Sequence, residues 1–208
     1  MAKYSDKLLE NKAKQFLRQA LRTTMDVNDE DMSSLIQLFE LVLYKKNDII
    51  LDEGQLAENF YFIYSGIIKI FFYKNNKEVI ERFEKEGAFF GSNFSHITKK
   101  PGTHIYQALE DMILMKIAYK DLNALCKKSH EIERLYRLHL ELLHSNYVNR
   151  FYTFANLLAE EKYHQFMQDY GDIANRIPLK FIANYLGMTS ETLSRIRAKY
   201  DKTVKAKD

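Results

Sequence analysis

The spacing of apolar residues changes period twice along the chain, and this restricts the folds open to it more than any other feature. Up to residue 40, Leu8, Leu9, Phe16, Leu17 and Leu21, then Met32, Leu35, Ile36 and Phe39, fall mostly three and four apart, the spacing of a buried helical face. Asn28 or Asp29 is suited to begin the second of these helices. From Leu41 to Ala118 the pattern shortens to runs such as LVLY, DIIL, NFYFIYS, IIKIFFY, EVIERF, HIYQALE and MILMKIA. Glycines 54, 66, 87, 91 and 102 and the KNNK segment at 74–77 separate them, and these are five of the seven glycines in the chain. Short strands punctuated this way predict a small antiparallel sandwich or barrel rather than a parallel sheet. Helical spacing returns at Tyr119–Leu125 and again from Glu131 to about Tyr170, with a break near Leu158–Glu161.

Two apolar stripes run down the long helical region. Ile132, Leu135, Leu138 and Leu142 form one; Tyr136, Leu140, Leu143, Tyr147, Phe151 and Phe154 form the other. If one stripe packs on its own domain and the other meets a second copy, the chain is a homodimer; a helix buried on two sides within one chain is the alternative.

From Ile177 to Lys199 the chain reads IPLKFIANYLGMTSETLSRIRAK. Leu179, Ile182, Ala183 and Leu186 make an apolar stripe, Gly187 permits a left-handed turn residue, and Leu193 and Ile196 make a second stripe. This is the pattern of a helix-turn-helix, whose second helix lies in the DNA major groove. Pro178 suits the first turn of the leading helix, and Thr189 can cap the second. Ser190, Glu191, Ser194, Arg195 and Ala198 then point away from the buried stripe. Arg can donate twice to guanine O6 and N7, and Glu can accept from cytosine N4, so Ser190, Glu191 and Arg195 are the expected base readers. Glu191 and Arg195, four apart, would otherwise be an ordinary ion pair on a solvated helix. Lys180, Thr192, Arg197 and Lys199 are expected at phosphates. From Arg176 onward eight Lys/Arg stand against three acidic residues, whereas the whole chain carries only +3, so positive charge is concentrated where phosphates would be met.

At 208 residues and 46% hydrophobic content the chain can bury a sizeable core. No stretch approaches the roughly eighteen apolar residues that span a bilayer, and MAKYSDKLLENK lacks a signal-peptide core, so a cytoplasmic location without membrane contact is expected. Cys126 is the single cysteine, which leaves no internal disulfide and no thiolate-rich metal site. His139 and His144 in HLELLH are five apart and diverge by roughly 140° around a helix, so they do not share a metal. A metal site built on the β region would have only His96 and His104 to use. No nucleophile elbow, phosphate-binding glycine loop or carboxylate cluster is present, so no enzyme, cofactor or metal is expected.

The glycine pattern I…EGQ…FYFIYSG…EKEGAFFG, the long dimer-type helix and the GMTSETLSR segment together resemble the Crp/Fnr family of bacterial transcription regulators over nearly the whole chain. The wording IPLKFIANYLGMTSETLSRIR is most similar to the branch common in Bacteroidetes, whose members usually carry no known effector. The resemblance implies an α+β fold with three parts. These are a cyclic-nucleotide-binding-like jelly roll with flanking helices over 1–128, a long dimerisation helix over 129–158, and a helix-turn-helix domain over 159–208. It also implies a homodimer on an inverted-repeat operator, with RNA polymerase and an effector of unidentified chemistry as further partners. In relatives that bind cyclic nucleotides, an FGE segment, a short helix and Arg-Ser/Thr-Ala hold the ribose and phosphate. Here Phe90 and Gly91 match, Ser92 stands for the Glu, and Gly102, Thr103 and His104 stand for the Arg and its successors. Tyr147 falls where the adenine would lie. The resemblance therefore points to a degenerate pocket and to regulation by something other than cAMP. The rival expectation is a ligand-binding sensor module whose helical C-terminus contacts another protein.

Overall fold

The computed structural model describes residues 2–205 of the chain, with side chains for residues 7–200. Helices α1 (Ala2–Thr24) and α2 (Asp29–Gln37) come first, and the Asn28 side chain caps α2 by accepting from the Asp31 N–H at 2.9 Å. Eight strands follow: β1 (Glu40–Tyr44), β2 (Ile49–Leu51), β3 (Asn59–Ser65), β4 (Ile68–Lys74), β5 (Lys77–Glu84), β6 (Phe89–Phe90), β7 (Ile105–Ala108) and β8 (Met112–Ala118). They form two antiparallel four-stranded sheets, ordered β1-β8-β3-β6 and β2-β7-β4-β5. Ile63, Ile68, Ile70, Met112 and Leu114, each essentially without solvent contact, fill the space between the sheets. The expected sandwich is thus a β roll, and the short helix α3 (Asn93–Thr98) lies between β6 and β7.

Helix α4 (Tyr119–Cys126) leads into α5 (His130–Asn156). Ser129 caps α5 by accepting from the Ile132 N–H at 3.1 Å while donating to Asp31 at 2.7 Å, which ties this end of the helix to α2. Ile132 and Leu135 enter a core shared with Leu17, Leu21, Phe60 and Phe62. Farther along, Leu142 is 57% exposed, Phe151 74% and Tyr152 57%. The two stripes do not therefore divide between a core side and a partner side. The division runs along the axis: the first turns are covered by α1, α2 and α4, and the later turns run clear of them.

The chain breaks at Leu157 and Leu158, then continues as α6 (Ala159–Tyr170), α7 (Leu179–Leu186) and α8 (Ser190–Lys205). Beyond this break the helices do not build a core of their own. Tyr163, Phe166, Ile173, Ile182, Leu186 and Leu193 pack in one cluster with Ile67, Phe71, Ile80, Phe83 and Ile105 of the β roll. Each buried side chain of this size contributes about 1.5–3 kcal/mol.

Specific polar contacts fix that seam. The Asn184 side chain accepts from the Ile80 N–H and donates to the Glu78 carbonyl, both at 2.8 Å, so α7 satisfies the outer edge of β5. Lys85 pairs with Asp172 at 2.6 Å, and Arg176 pairs with Glu86 at 2.7 Å and with Glu110. Burial alone would raise the Glu86 pKa, but hydrogen bonds from Arg176 and the Gly66 N–H outweigh it and hold the carboxyl below its ordinary range. No described helix is long and apolar enough to cross a membrane.

Candidate functional site

Two regions carry the residues singled out in the sequence. In the first, Pro178 is the N-cap of α7 and needs no N–H partner there. Gly187 ends the helix at φ 68°, ψ 34°, with its N–H donating to the Asn184 carbonyl at 3.0 Å and the next N–H, of Met188, reaching Ala183 at 3.0 Å. This left-handed closure favours glycine, and a side chain would also press on Phe154 of α5, 3.1 Å from the position of an added Cβ. Thr189 then accepts from the Thr192 N–H at 3.2 Å and starts α8. Leu193 anchors α8 with no exposure, and Ile196 is half-buried beside it.

Opposite that anchor Ser190, Glu191, Ser194, Arg195, Arg197 and Ala198 are all exposed. Among the described residues, Arg195 and Arg197 have no carboxylate within ion-pair distance, so Glu191 and Arg195 do not form the simple helical pair their spacing allows. Hydrogen bonding at the start of the helix, from its own N–H and then from Thr189, keeps the Glu191 carboxyl below its ordinary range. The expected phosphate residues are less uniform. Lys180 is exposed, with its ammonium 4.8 Å above the Phe181 ring. Lys199 instead pairs with Glu160 at 2.8 Å, and Thr192 is half-buried with its hydroxyl 3.2 Å from that of Thr189. Arg176, counted in the basic tail, is a seam residue, so the charge facing outward is smaller than the sequence count.

The second region is the β roll. Phe90 stacks between Tyr61 and Tyr106, with ring centroids at 4.9 and 5.9 Å. Phe90, Gly91 and Ser92 line a cavity of about 160 Å³ with Tyr61 and Tyr106. Ser92 is buried and serves as the N-cap of α3, accepting from the Ser95 N–H at 3.3 Å. Gly102 and Thr103 do not line that cavity: Gly102 lies in the loop between α3 and β7, where a Cβ would stand 3.5 Å from Ser92 Oγ and its carbonyl accepts from the Gly54 N–H at 3.0 Å, and Thr103 is exposed.

His104 and Tyr147 are brought together elsewhere, around Glu81 and Arg82 of β5. Glu81 accepts from the Tyr147 hydroxyl at 3.0 Å, lies 2.5 Å from His104 Nε2, and pairs with Arg82. Arg82 donates to Glu84 at 2.7 Å and lies over the Tyr147 ring, its guanidinium carbon 5.0 Å from the centroid. Burial opposes ionisation of Glu81, but hydrogen bonding to His104 and the Arg82 charge overcome it and lower its pKa. Burial raises the Glu84 carboxyl and pushes the Tyr147 phenol far up. Arg82 thus has its charge shared between two carboxylates.

Nothing in the sequence reading singled out Glu81, Arg82 or Glu84. The register explains why. Ile70 faces Arg82 and Phe71 faces Ile80, so Glu81 is an extra residue in a bulge that re-aims its neighbours. Five charges among the eight residues of β5, which break its apolar alternation, were the available signal.

Residues 41–129 match the family model described as the cyclic nucleotide-binding domain. No curated protein matches the sequence. Among solved structures, the fold is similar to FixK2 from Bradyrhizobium japonicum, at TM-score 0.69 and 18% identity over 79% of this chain and 85% of that one. The c-di-GMP responsive global regulator CLP from Xanthomonas campestris gives TM-score 0.66 at 16% identity, over 85% of this chain and 93% of that one. A CooA variant from Carboxydothermus hydrogenoformans gives 0.61 at 16% identity over 86% of both chains. Residues 41–129 therefore form a cyclic nucleotide-binding-type domain, and the fold over most of the chain is similar to those of FixK2, CLP and CooA.

Proposed function

We propose that the chain is a homodimeric, sequence-specific DNA-binding transcription regulator of the Crp/Fnr type, in which α7, Gly187 and α8 form the helix-turn-helix. The observation that carries this reading is the first turn and a half of α8. It is anchored from behind by Leu193 and presents Ser190, Glu191 and Arg195 to solvent without an internal ion pair. Arg195 and Glu191 specify bases, Ser190 adds a third contact, and Arg197 and Lys180 position the phosphate backbone. The likeness to a global regulator supports the same reading.

The uncovered later turns of α5 bring two copies together through Leu142, Phe151 and Tyr152. Two-fold symmetry then sets the half-site centres about one helical turn, roughly 34 Å, apart. Cyclic AMP does not control the protein. Ser92 is committed to capping α3 where an acidic residue would hold the ribose, and Arg82, which lies over the Tyr147 ring, is already neutralised by Glu81 and Glu84.

The test is selection of bound sequences from a randomised duplex pool. Arg195→Ala should cost about 1–3 kcal/mol and relax preference at one base position, whereas Arg197→Ala should weaken all sequences alike. An unchanged sequence preference in the Arg195→Ala protein would overturn the base-reading assignment.

A further inference from the structure

A second cavity lies outside the β-roll pocket, at the junction where β5, α5, α6 and α7 meet. It holds about 280 Å³, and its wall includes Tyr147, Arg150, Lys162, Phe166, Asp169 and Tyr185. No residue expected from the sequence to bind an effector lies here except Tyr147.

Arg150 is built into this wall. One of its nitrogens donates to the Tyr185 carbonyl, and the guanidinium carbon rests 3.7 Å from the centroid of the Tyr185 ring, which fixes the plane of the fork. Its other terminal nitrogen, Nη1, is buried and has no hydrogen-bond partner. A buried guanidinium donor without an acceptor is an exception among folded proteins and calls for a partner. Lys162 sits near it, with its ammonium 4.8 Å from the Phe154 ring centroid. Among the described residues, neither Arg150 nor Lys162 has a carboxylate within ion-pair distance.

The three carboxylates of the same wall are differently placed. Glu81 and Glu84 are engaged by Arg82; among the described residues the Asp169 carboxylate accepts from the Gln165 side-chain amide at 3.0 Å, while its backbone carbonyl accepts from Lys85 at 3.4 Å. Three cations and three carboxylates sum to no net charge, yet charge is separated across the space: unanswered donors at Arg150 and Lys162, a weakly engaged acceptor at Asp169, and aromatic rings between. A simple anion would satisfy only the first end.

We propose that this junction is a binding site for a small amphoteric carboxylate of amino-acid or dipeptide size. Its carboxylate is held by Arg150 and Lys162, its ammonium by Asp169, and its body lies on Tyr147, Phe166 and Tyr185. Because the wall includes Tyr185 and Leu186 of α7, the bound molecule joins the β roll and α5 to the leading helix of the DNA-reading unit. That consequence rests on the DNA-binding reading; the site itself does not.

The test is therefore made without DNA. The full-length protein is screened by thermal shift against the twenty common amino acids and glycyl dipeptides at fixed ionic strength, and the best probe is measured by calorimetry. The expected result is saturable stabilisation by a subset of zwitterions and none by their amides, with Kd raised about tenfold or more by Arg150→Gln and, separately, by Lys162→Gln. Lys162 is only half-buried, so the second variant keeps the test valid if the first fails to fold. Absence of any saturable probe, or binding that survives the substitutions, overturns the proposal. Separate measurement of operator affinity with and without the probe distinguishes failure of this site from failure of the DNA reading.

Discussion

Replacing Asn184 by Leu keeps the side-chain size but removes both contacts that join α7 to the outer edge of β5. In the native chain Asn184 accepts from the Ile80 N–H and donates to the Glu78 carbonyl, each at 2.8 Å and partly buried. These two backbone groups point away from β4 and have no other strand to meet, since β5 ends its sheet. At about 0.5–1.5 kcal/mol net per hydrogen bond, the pair contributes roughly 1–3 kcal/mol to keeping α6–α8 seated on the β roll. The substitution should therefore raise the population of the undocked form roughly 5- to 150-fold. Amide hydrogen exchange reads this at single residues. The Ile80 amide should lose its protection, amides in α7 should exchange faster by the same factor, and amides in β3 and β8 should keep their native rates. Retained protection at Ile80 would refute the reasoning, and equal acceleration in β3 would show that the contact supports the whole fold rather than the seam.

Three further outcomes are expected. Burial pushes the His139 pKa from 6.5 down to about 4, since its ring packs edge-on to Phe60 and Phe89. The unfolded chain then takes up this proton before the folded one, so stability falls as pH drops from 6.5 toward 4, by up to about 3 kcal/mol. Denaturation across this range should show the slope, and His139→Phe should flatten it. Phe151→Glu, at an apolar side chain 74% exposed within one chain, should convert the proposed dimer to monomer in sedimentation velocity while leaving the helical signal of the β-roll-anchored turns intact. Calorimetry with cAMP should give no micromolar binding to the native protein, and a tight isotherm would reverse the assignment of Ser92 and Arg82.

Much of the architecture was legible because periodicity reports burial. The change from helical to strand spacing at Leu41, the Asn28 cap and the Gly187 turn all depend on local geometry, and each fell where the spacing put it. What stayed hidden was tertiary and irregular. Asn184 reads as a polar gap in an amphipathic helix, and only the neighbouring strand edge makes it a fastener. Arg176 reads as part of a basic tail, but Glu86 and Glu110 claim it. The bulge at Glu81 defeats the alternation on which strand reading depends. The α5 stripes indicated that the helix is apolar on more than one side, but not that its contacts with α1, α2 and α4 give way to contacts with β5 and α7 along its length. Of the residues expected around an effector, Phe90, Gly91 and Ser92 share one cavity, whereas His104 and Tyr147 belong to another cluster, because α5 crosses β5 rather than the α3 loop.

Held at its first turn and in contact with the α7–α8 turn near its last, α5 is a lever. Its 27 residues span about 40 Å, with Ser129 clamped to Asp31 at one end and Phe154 against the Gly187 turn near the other. A tilt of about 10° about the clamped end displaces the far end by roughly 7 Å, about a fifth of the roughly 34 Å helical turn of DNA. Mechanical gain of this size means that the β roll need not change shape visibly to alter the reach of α8; a pivot small enough to leave its two sheets superimposable is sufficient.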